Sequence, residues 1–308
     1  MTSTLTRSLL QPKLWTKGEK SVRSGPCQDA RGRRPKVPIP GIDLAGRVET
    51  VGPGVTQFRP GDDVYGECVR GIQWKNGGAF AEYASVLAKD LATMPERLTY
   101  VEAAAVPTSG LIALQTVRDE GHLQSGQRVL INGAGGAVGS FAVQLAKAYG
   151  GEVTAVDATG KLEALRSLGA DHVIDYSLTD FTTTGEKYDL IIDIPGNHSL
   201  SAVRRALTAG GRYVFVGHDQ YGRRGHPVIG SIGRVFHMLV LTPFVPQFKA
   251  PGKISPREER LAILTDLVNA GQVTPLIDST YPLAKIHQAL SHLEQGTAIG
   301  KIVVTIPE

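Results

Sequence analysis

Two cysteines in 308 residues, Cys27 and Cys68, leave nothing from which to build a disulfide framework and no spaced thiol set for a structural zinc. Long hydrophobic runs are also missing. Nothing approaches the ~20 uninterrupted apolar residues of a membrane span, and the stretch 235–245 is broken by His237, Thr242 and Pro243. These absences exclude a disulfide-stapled secreted scaffold and a helical membrane protein, and make a cytoplasmic location the expectation. Acidic residues are scarce in one place only. Residues 1–36 carry nine Lys/Arg against Glu19 and Asp29, which leaves 24 basic and 27 acidic residues for the remainder. The basic balance of +4 therefore belongs to the tail. A body of slightly negative charge argues against a nucleic-acid footprint, which needs basic residues across a folded face. The tail composition is compatible with mitochondrial import, but Pro12, Gly18, Gly25 and Pro26 interrupt any amphipathic stripe. A disordered tail, or a mis-assigned start, is the expectation for 1–36.

What the chain does have is centred on residues 128–151. Val129, Leu130 and Ile131 form the short apolar run of a strand buried on both faces. Glycines follow at Gly133, Gly135 and Gly136, and then Val138, Phe141, Ala142, Leu145, Ala146 and Tyr149 recur at helical spacing up to Gly150-Gly151. Strand, glycine turn and helix point unpaired helix N–H groups at a phosphate. The turn reads Ala134-Gly135-Gly136-Ala137-Val138-Gly139, a dinucleotide fingerprint with alanine first. Gly136 would let a diphosphate approach the backbone, and Gly139 would let helix and strand pack closely. A second strand, 152–156, ends at Asp157, 18 positions after Gly139 and near the place of a ribose acceptor. Asp157 can equally be read as the cap of a helix beginning near Gly160.

Alternation continues downstream, with strands at 172–176, 189–193 and 213–216 and helices at 161–168 and 199–207 between them. That pattern predicts an α/β fold with a doubly wound parallel sheet. Upstream, turn signals at Pro53-Gly54 and Pro60-Gly61-Asp62 separate strands expected over 42–52, 63–66 and 79–86. Residues 101–117 read as helices broken at Pro107. The C-terminal part predicts a helix over 258–269, a strand over 276–281, a helix over 283–293 and a last strand over 301–306.

Several stretches carry a resemblance in fixed order: PGIDLAGRVETVGPGV, FRPGDDVYG, GGAFAEYASV, AAAVPTSGLIALQTV, NGAGGAVGSFAVQLAKAYG, LRSLGADHVIDY, YDLIIDIPGN, GGRYVFVG and TYPLAKIHQALSHLEQGTAIGKIVV. Together they resemble the zinc-independent quinone oxidoreductase (zeta-crystallin-like) group of the medium-chain dehydrogenase/reductase superfamily. The resemblance implies a Rossmann domain over 123–271 and a GroES-like β-rich catalytic domain over 37–122 and 272–308. It also implies that the catalytic barrel is incomplete, because the family's N-terminal strands and its Ser-Val-Asn-type loop are not recognisable in 1–36. Exposed strand edges, and a homodimer that covers them, are the corresponding expectation. Zinc-dependent relatives carry a Gly-His-Glu motif where this chain has Gly41-Ile42-Asp43, so no zinc is expected. His122, His172 and His218 read as surface or loop histidines, and a hydrolase built on Ser231 lacks a nucleophile elbow.

The resemblance implies NAD(P)H as cofactor. Lys161 and Tyr176 align with the residues that hold a 2′-phosphate in NADPH-using relatives, whereas Asp157 suits the free ribose of NADH, so the choice stays open. It further places Gly217, His218 and Thr108 near the nicotinamide. Thr108 can also be read as a helix N-cap after Pro107. A zinc-free site suits acceptors that delocalise the incoming charge themselves, so hydride transfer to a quinone, enone or similar conjugated carbonyl is the leading expectation. An alcohol or aldehyde dehydrogenase-type reductase, and a non-catalytic NAD(P)H-binding protein, are the alternatives.

Overall fold

A computed structural model describes residues 5–6, 39–68, 78–217, 232–242, 245–248 and 254–306. One five-stranded parallel sheet dominates it. In chain order its strands are β6 (Arg128–Asn132), β7 (Glu152–Asp157), β8 (His172–Asp175), β9 (Tyr188–Asp193) and β10 (Leu207–Phe215), and in space they run β10-β9-β6-β7-β8. The order reverses direction beside β6, which is where a doubly wound sheet opens a crevice at its carboxyl ends.

Alternation along β6 explains why both faces are covered. Val129 and Ile131 point into one buried cluster with Phe141 and Leu145 of α3 (Ala137–Ala148). Leu130 points into the other, with Val203 of α5 (Leu200–Ala206) and Phe248. Each fully buried side chain of this size contributes roughly 1.5–3 kcal/mol. Helix α3 ends where Gly150 takes φ +79, the left-handed stop its position predicts. β10 begins six residues earlier than expected because its register shifts between Leu207 and Arg212, across Gly210 and Gly211.

The β-rich part is made of smaller pieces. β2 (Asp43–Arg47), β3 (Asp63–Glu67) and β5 (Leu91–Thr93) form an antiparallel sheet in the order β2-β3-β5. A two-residue strand β1 (Leu5–Thr6) lies parallel to β4 (Tyr83–Ala84), and β11 (Ile277–Pro282) lies parallel to β12 (Lys301–Thr305). The strand expected over 79–86 is a correction: only Tyr83–Ala84 is extended in a ladder. The Ala79 and Phe80 N–H groups instead turn back to the carbonyls of Gly41 and Pro40. β2 stops at Arg47 rather than running to residue 52, because Val48 closes a loop onto Asp62 and Gly61. β5, three residues of Leu-Ala-Thr, was too short to show a period.

Helices α1 (Tyr100–Ala105) and α2 (Pro107–Leu114) join the two parts, broken at Pro107 as expected. α7 (Arg257–Asn269) packs against both. Its Thr265 hydroxyl lies 2.8 Å from the Tyr65 hydroxyl of β3, and burial pushes that phenol up to about 12. The remaining α-helices among the described residues are α4 (Leu162–Ser167), α6 (Ile232–Leu241) and α8 (Ile286–Gln295). Among the described residues no helix is long and apolar enough to cross a membrane.

Candidate functional site: a glycine cradle beside a charged cleft

The turn between β6 and α3 sits at the point where the strand order reverses. Gly133 takes φ +83 and its missing side chain leaves room for Pro195, 3.1 Å from where a Cβ would stand. Gly139 has no room at all: a Cβ there would lie 2.3 Å from the Gly133 carbonyl oxygen and 2.5 Å from the Ala134 Cα. Close packing of helix on strand therefore demands glycine. Gly136 differs, because a Cβ would meet only the Gly133 carbonyl at 3.5 Å and otherwise open space. That open face lies before the first turn of α3, where the Ala137, Val138 and Gly139 N–H groups precede the first intrahelical bond, from Ser140 to the Gly136 carbonyl. The cradle fits the diphosphate of a dinucleotide on both counts: it leaves space at Gly136 and aims helix N–H groups into that space.

Asp157 turns inward to brace this cradle. Its Oδ2 accepts the Gly135 N–H at 2.7 Å and its Oδ1 accepts the Ala158 N–H at 2.8 Å. Thus it does not cap the following helix, whose first turn has no side-chain cap. Lys161 lies with its stem over Gly135 and its ammonium 3.8 Å from Asp157, both side chains largely buried. A carboxylate offers about four acceptor positions, so Asp157 keeps capacity for a ribose hydroxyl. Tyr176 stands at the adjoining strand end, its N–H on the Asp157 carbonyl at 3.2 Å and its ring exposed. Gly217 (φ +81) follows β10, at the carboxyl end of the strand on the opposite edge of the sheet, while His218 lies outside the described residues. Among the described histidines, His122 and His172 are exposed as expected.

Asp193, at the end of β9, escaped the sequence reading. It is fully buried and accepts from the Asn132 amide (2.9 Å), the Gly196 N–H (3.0 Å) and the Tyr213 hydroxyl (2.8 Å). These bonds tie the ends of β6, β9 and β10 together around the crevice. An acid directly after the apolar run Leu190-Ile191-Ile192 was the available signal.

A second group of residues faces the cradle across the segment leading into β12. Gly300 donates its N–H to the Gly135 carbonyl at 2.9 Å and forms a bridge with Gly136. The next residue, Lys301, reaches Asp43 Oδ2 at 2.8 Å and Ser109 Oγ at 3.2 Å. Asp43 Oδ1 accepts the Thr108 N–H at 3.0 Å and lies in short contact with the Thr108 hydroxyl. That hydroxyl is also 2.6 Å from Glu67 Oε1. Thr108 is the second residue of α2 and does not cap it; the Asp43 carboxylate takes up its N–H instead. Glu67 is 2 % exposed, and its Oε2 is 2.9 Å from Arg257, which is shared with Asp90 at 3.0 Å. Burial raises the Glu67 carboxyl above its ordinary value, against the pull of the Thr108 hydroxyl; the Asp43 charge adds to the rise, and Arg257 and Arg260 oppose it. Glu67, Lys301 and Arg257 were not foreseen. For Glu67 the hint was a charged residue directly after the stretch Val64-Tyr65-Gly66.

Residues 17–96 match the family model described as alcohol dehydrogenase GroES-like domain, and residues 168–304 match that described as zinc-binding dehydrogenase. The chain is 34% identical over 272 residues to 2-methylene-furan-3-one reductase of Solanum lycopersicum, covering 86% of this chain and 63% of that protein. It is 31% identical over 275 residues to a chloroplast envelope quinone oxidoreductase homolog of Arabidopsis thaliana, covering 86% and 79%. The structure of the quinone oxidoreductase from Coxiella burnetii superposes with a TM-score of 0.74 at 26% identity, covering 90% of this chain and 81% of that one.

Proposed function

Since the chain belongs to the medium-chain dehydrogenase/reductase superfamily, in its quinone oxidoreductase-like group, we propose that it reduces a conjugated carbonyl, a quinone or an enone, with NAD(P)H. The observation that carries this reading is the juxtaposition of the open cradle at Gly136 with the Thr108–Asp43–Lys301 group, linked through Gly300. The bound nicotinamide would supply the hydride. This chain's own residues would do the rest. The α3 N-terminus and Gly136 hold the diphosphate, Asp157 and Lys161 meet the adenosine ribose, and Thr108 stands at the cleft where the acceptor lies.

We read the site as zinc-free on its donor chemistry. Ile42 offers no lone pair, and both oxygens of Asp43 are engaged by Thr108 and Lys301. Among the described residues no group of three His, Cys, Asp or Glu side chains is placed to hold a metal. Conjugated acceptors spread the incoming charge over several atoms and so need no Lewis acid. The names of the tomato reductase and of the Arabidopsis and Coxiella quinone oxidoreductases support this acceptor class.

Purified 308-residue protein, titrated with NADPH and NADH and then assayed with 1,4-quinones, alkenones, aldehydes and alcohols, tests the proposal. Turnover of quinones or alkenones above aldehydes and alcohols is expected. Preferred turnover of simple aldehydes or alcohols would reject the acceptor class, and nucleotide binding with no turnover would reject the catalytic half.

A further inference from the structure

The Thr108 hydroxyl lies within hydrogen-bond reach of two carboxyl groups, Asp43 Oδ1 and Glu67 Oε1, the latter at 2.6 Å. A hydroxyl has one proton to donate. It can satisfy one ionised carboxylate; the second contact is attractive only if that carboxyl is itself an acid, donating to the hydroxyl oxygen. Asp43 has the features of the ionised partner: the Lys301 ammonium at 2.8 Å on one oxygen, and the Thr108 N–H at 3.0 Å on the other. Glu67 is sealed from solvent, and among the described residues its cationic neighbour in contact, Arg257, is shared with Asp90. Other charges facing Glu67 are Asp43 from β2 and Arg260 from α7, with Lys301 beyond Asp43.

We propose that Glu67 is held as the neutral acid and passes its proton through Thr108 to the reduced acceptor, which makes Glu67 a positioning residue for the reaction proposed above. The inference rests on that reading for its use, but not for the resting state of the proton. Thr108 is only partly buried whereas Glu67 is closed off, so among the described residues the hydroxyl offers the acid a route to the cleft. In an enone the carbon–carbon π bond breaks. One carbon gains a hydride, and the enolate so formed gains the Thr108 proton at its other carbon. Thr108 takes the Glu67 proton, leaving a carboxylate beside Arg257, and water later restores the acid. The nucleotide is oxidised by two electrons and the acceptor reduced by two. The raised Glu67 value is in keeping with this assignment.

Difference infrared spectra of wild type against Glu67→Gln at pH 7 test the resting state without any substrate. A protonated-carboxyl stretch present in wild type and lost in the variant is expected; its absence from wild type overturns the proposal. Should Glu67→Gln not fold, Thr108→Val keeps the shape and leaves Glu67 in place. The band must then shift, and an unmoved band overturns the link. In turnover, Glu67→Gln and Thr108→Val are each expected to lower kcat by about 10²-fold, the low end of what a positioned acid supplies. KM for the nucleotide should not move, and Thr108→Ser should recover most of the rate. Wild-type kcat should fall as pH rises through the Glu67 value, and Glu67→Gln should lose that limb. A Gln variant with wild-type kcat and pH profile overturns the relay. If wild type reduces no acceptor, the proposed function fails while the infrared result still decides where the proton is.

Discussion

From Arg128 to Phe215 one sheet of five parallel strands buries both its faces, whereas between Asp43 and Thr93 the widest sheet has three strands and relies on other parts of the chain. The first region draws much of its core from its own helices, α3 lying against Val129 and Ile131 and α5 against Leu130, with α2, α7 and Phe248 completing it. The second is held partly by charge. Asp43 of β2 is tied to Lys301 of β12, and Asp90 to Arg257 of α7, which also donates to Glu67 of β3. Apolar burial is cumulative and forgiving; an ion pair out of water fails when one partner goes. The nucleotide-binding half should therefore withstand change at its edges, while the other half should be sensitive to single charged positions far away in sequence.

The largest expected effect tests that sensitivity. Arg257→Met removes the cation paired with buried Asp90 and takes the donor from the Glu67 Oε2 atom, and should cost about 3 kcal/mol of stability, at the low end for breaking a buried pair, read by chemical denaturation. Gly139→Val brings a side chain into the Gly133 carbonyl and should cost about 1–3 kcal/mol by overpacking and abolish nucleotide binding. Gly136→Ala sharpens the contrast within one turn. It should leave stability within about 0.5 kcal/mol, since space is open there, yet weaken NADPH and NADH binding in the same titration.

Asp157→Ser should shift the NADPH/NADH ratio of kcat/KM about tenfold toward NADPH, equivalent to about 1.4 kcal/mol, because Lys161 loses its carboxylate neighbour. An unchanged ratio would show that the pair does not read the 2′ position.

The smallest effect is acid-dependent. Burial would raise the Asp171 carboxyl, but the Lys147 ammonium at 2.7 Å and the Val153 N–H bring it below its ordinary value. Its contribution is present above the ordinary aspartate range and lost as pH falls through the lowered one. Asp171→Asn should thus flatten part of the acid limb by no more than about 1 kcal/mol, as fits a partly exposed pair. Glu67 runs the opposite way. Its raised value favours the folded state most in acid, and that contribution disappears as pH rises through it.

Legibility followed the same division. The 128–151 unit could be read because an apolar strand, a glycine turn and a 3.6-residue period reinforce one another over 24 residues. Gly139 was assigned its packing role from spacing alone, and the clash distances explain why. The β-rich half was read less well. β4 and β5 are two and three residues long, too short to carry a period, and the turn at Ala79 follows backbone bonds to Pro40 and Gly41 that no local pattern announces. The pairing of Asp43 with Lys301 spans 258 positions and could not be read from either neighbourhood. Asp157 was seen, but its grip on Gly135 depends on how the turn folds back over the strand end.

Calorimetric titration of the folded wild-type chain with NADPH and with NADH tests the central claim most directly, namely that the head of α3 and Gly136 receive a dinucleotide diphosphate. Saturable one-site binding in the micromolar range for at least one of the two, lost in Gly139→Val, is the predicted result. A folded wild-type protein that binds neither at millimolar concentration would contradict it.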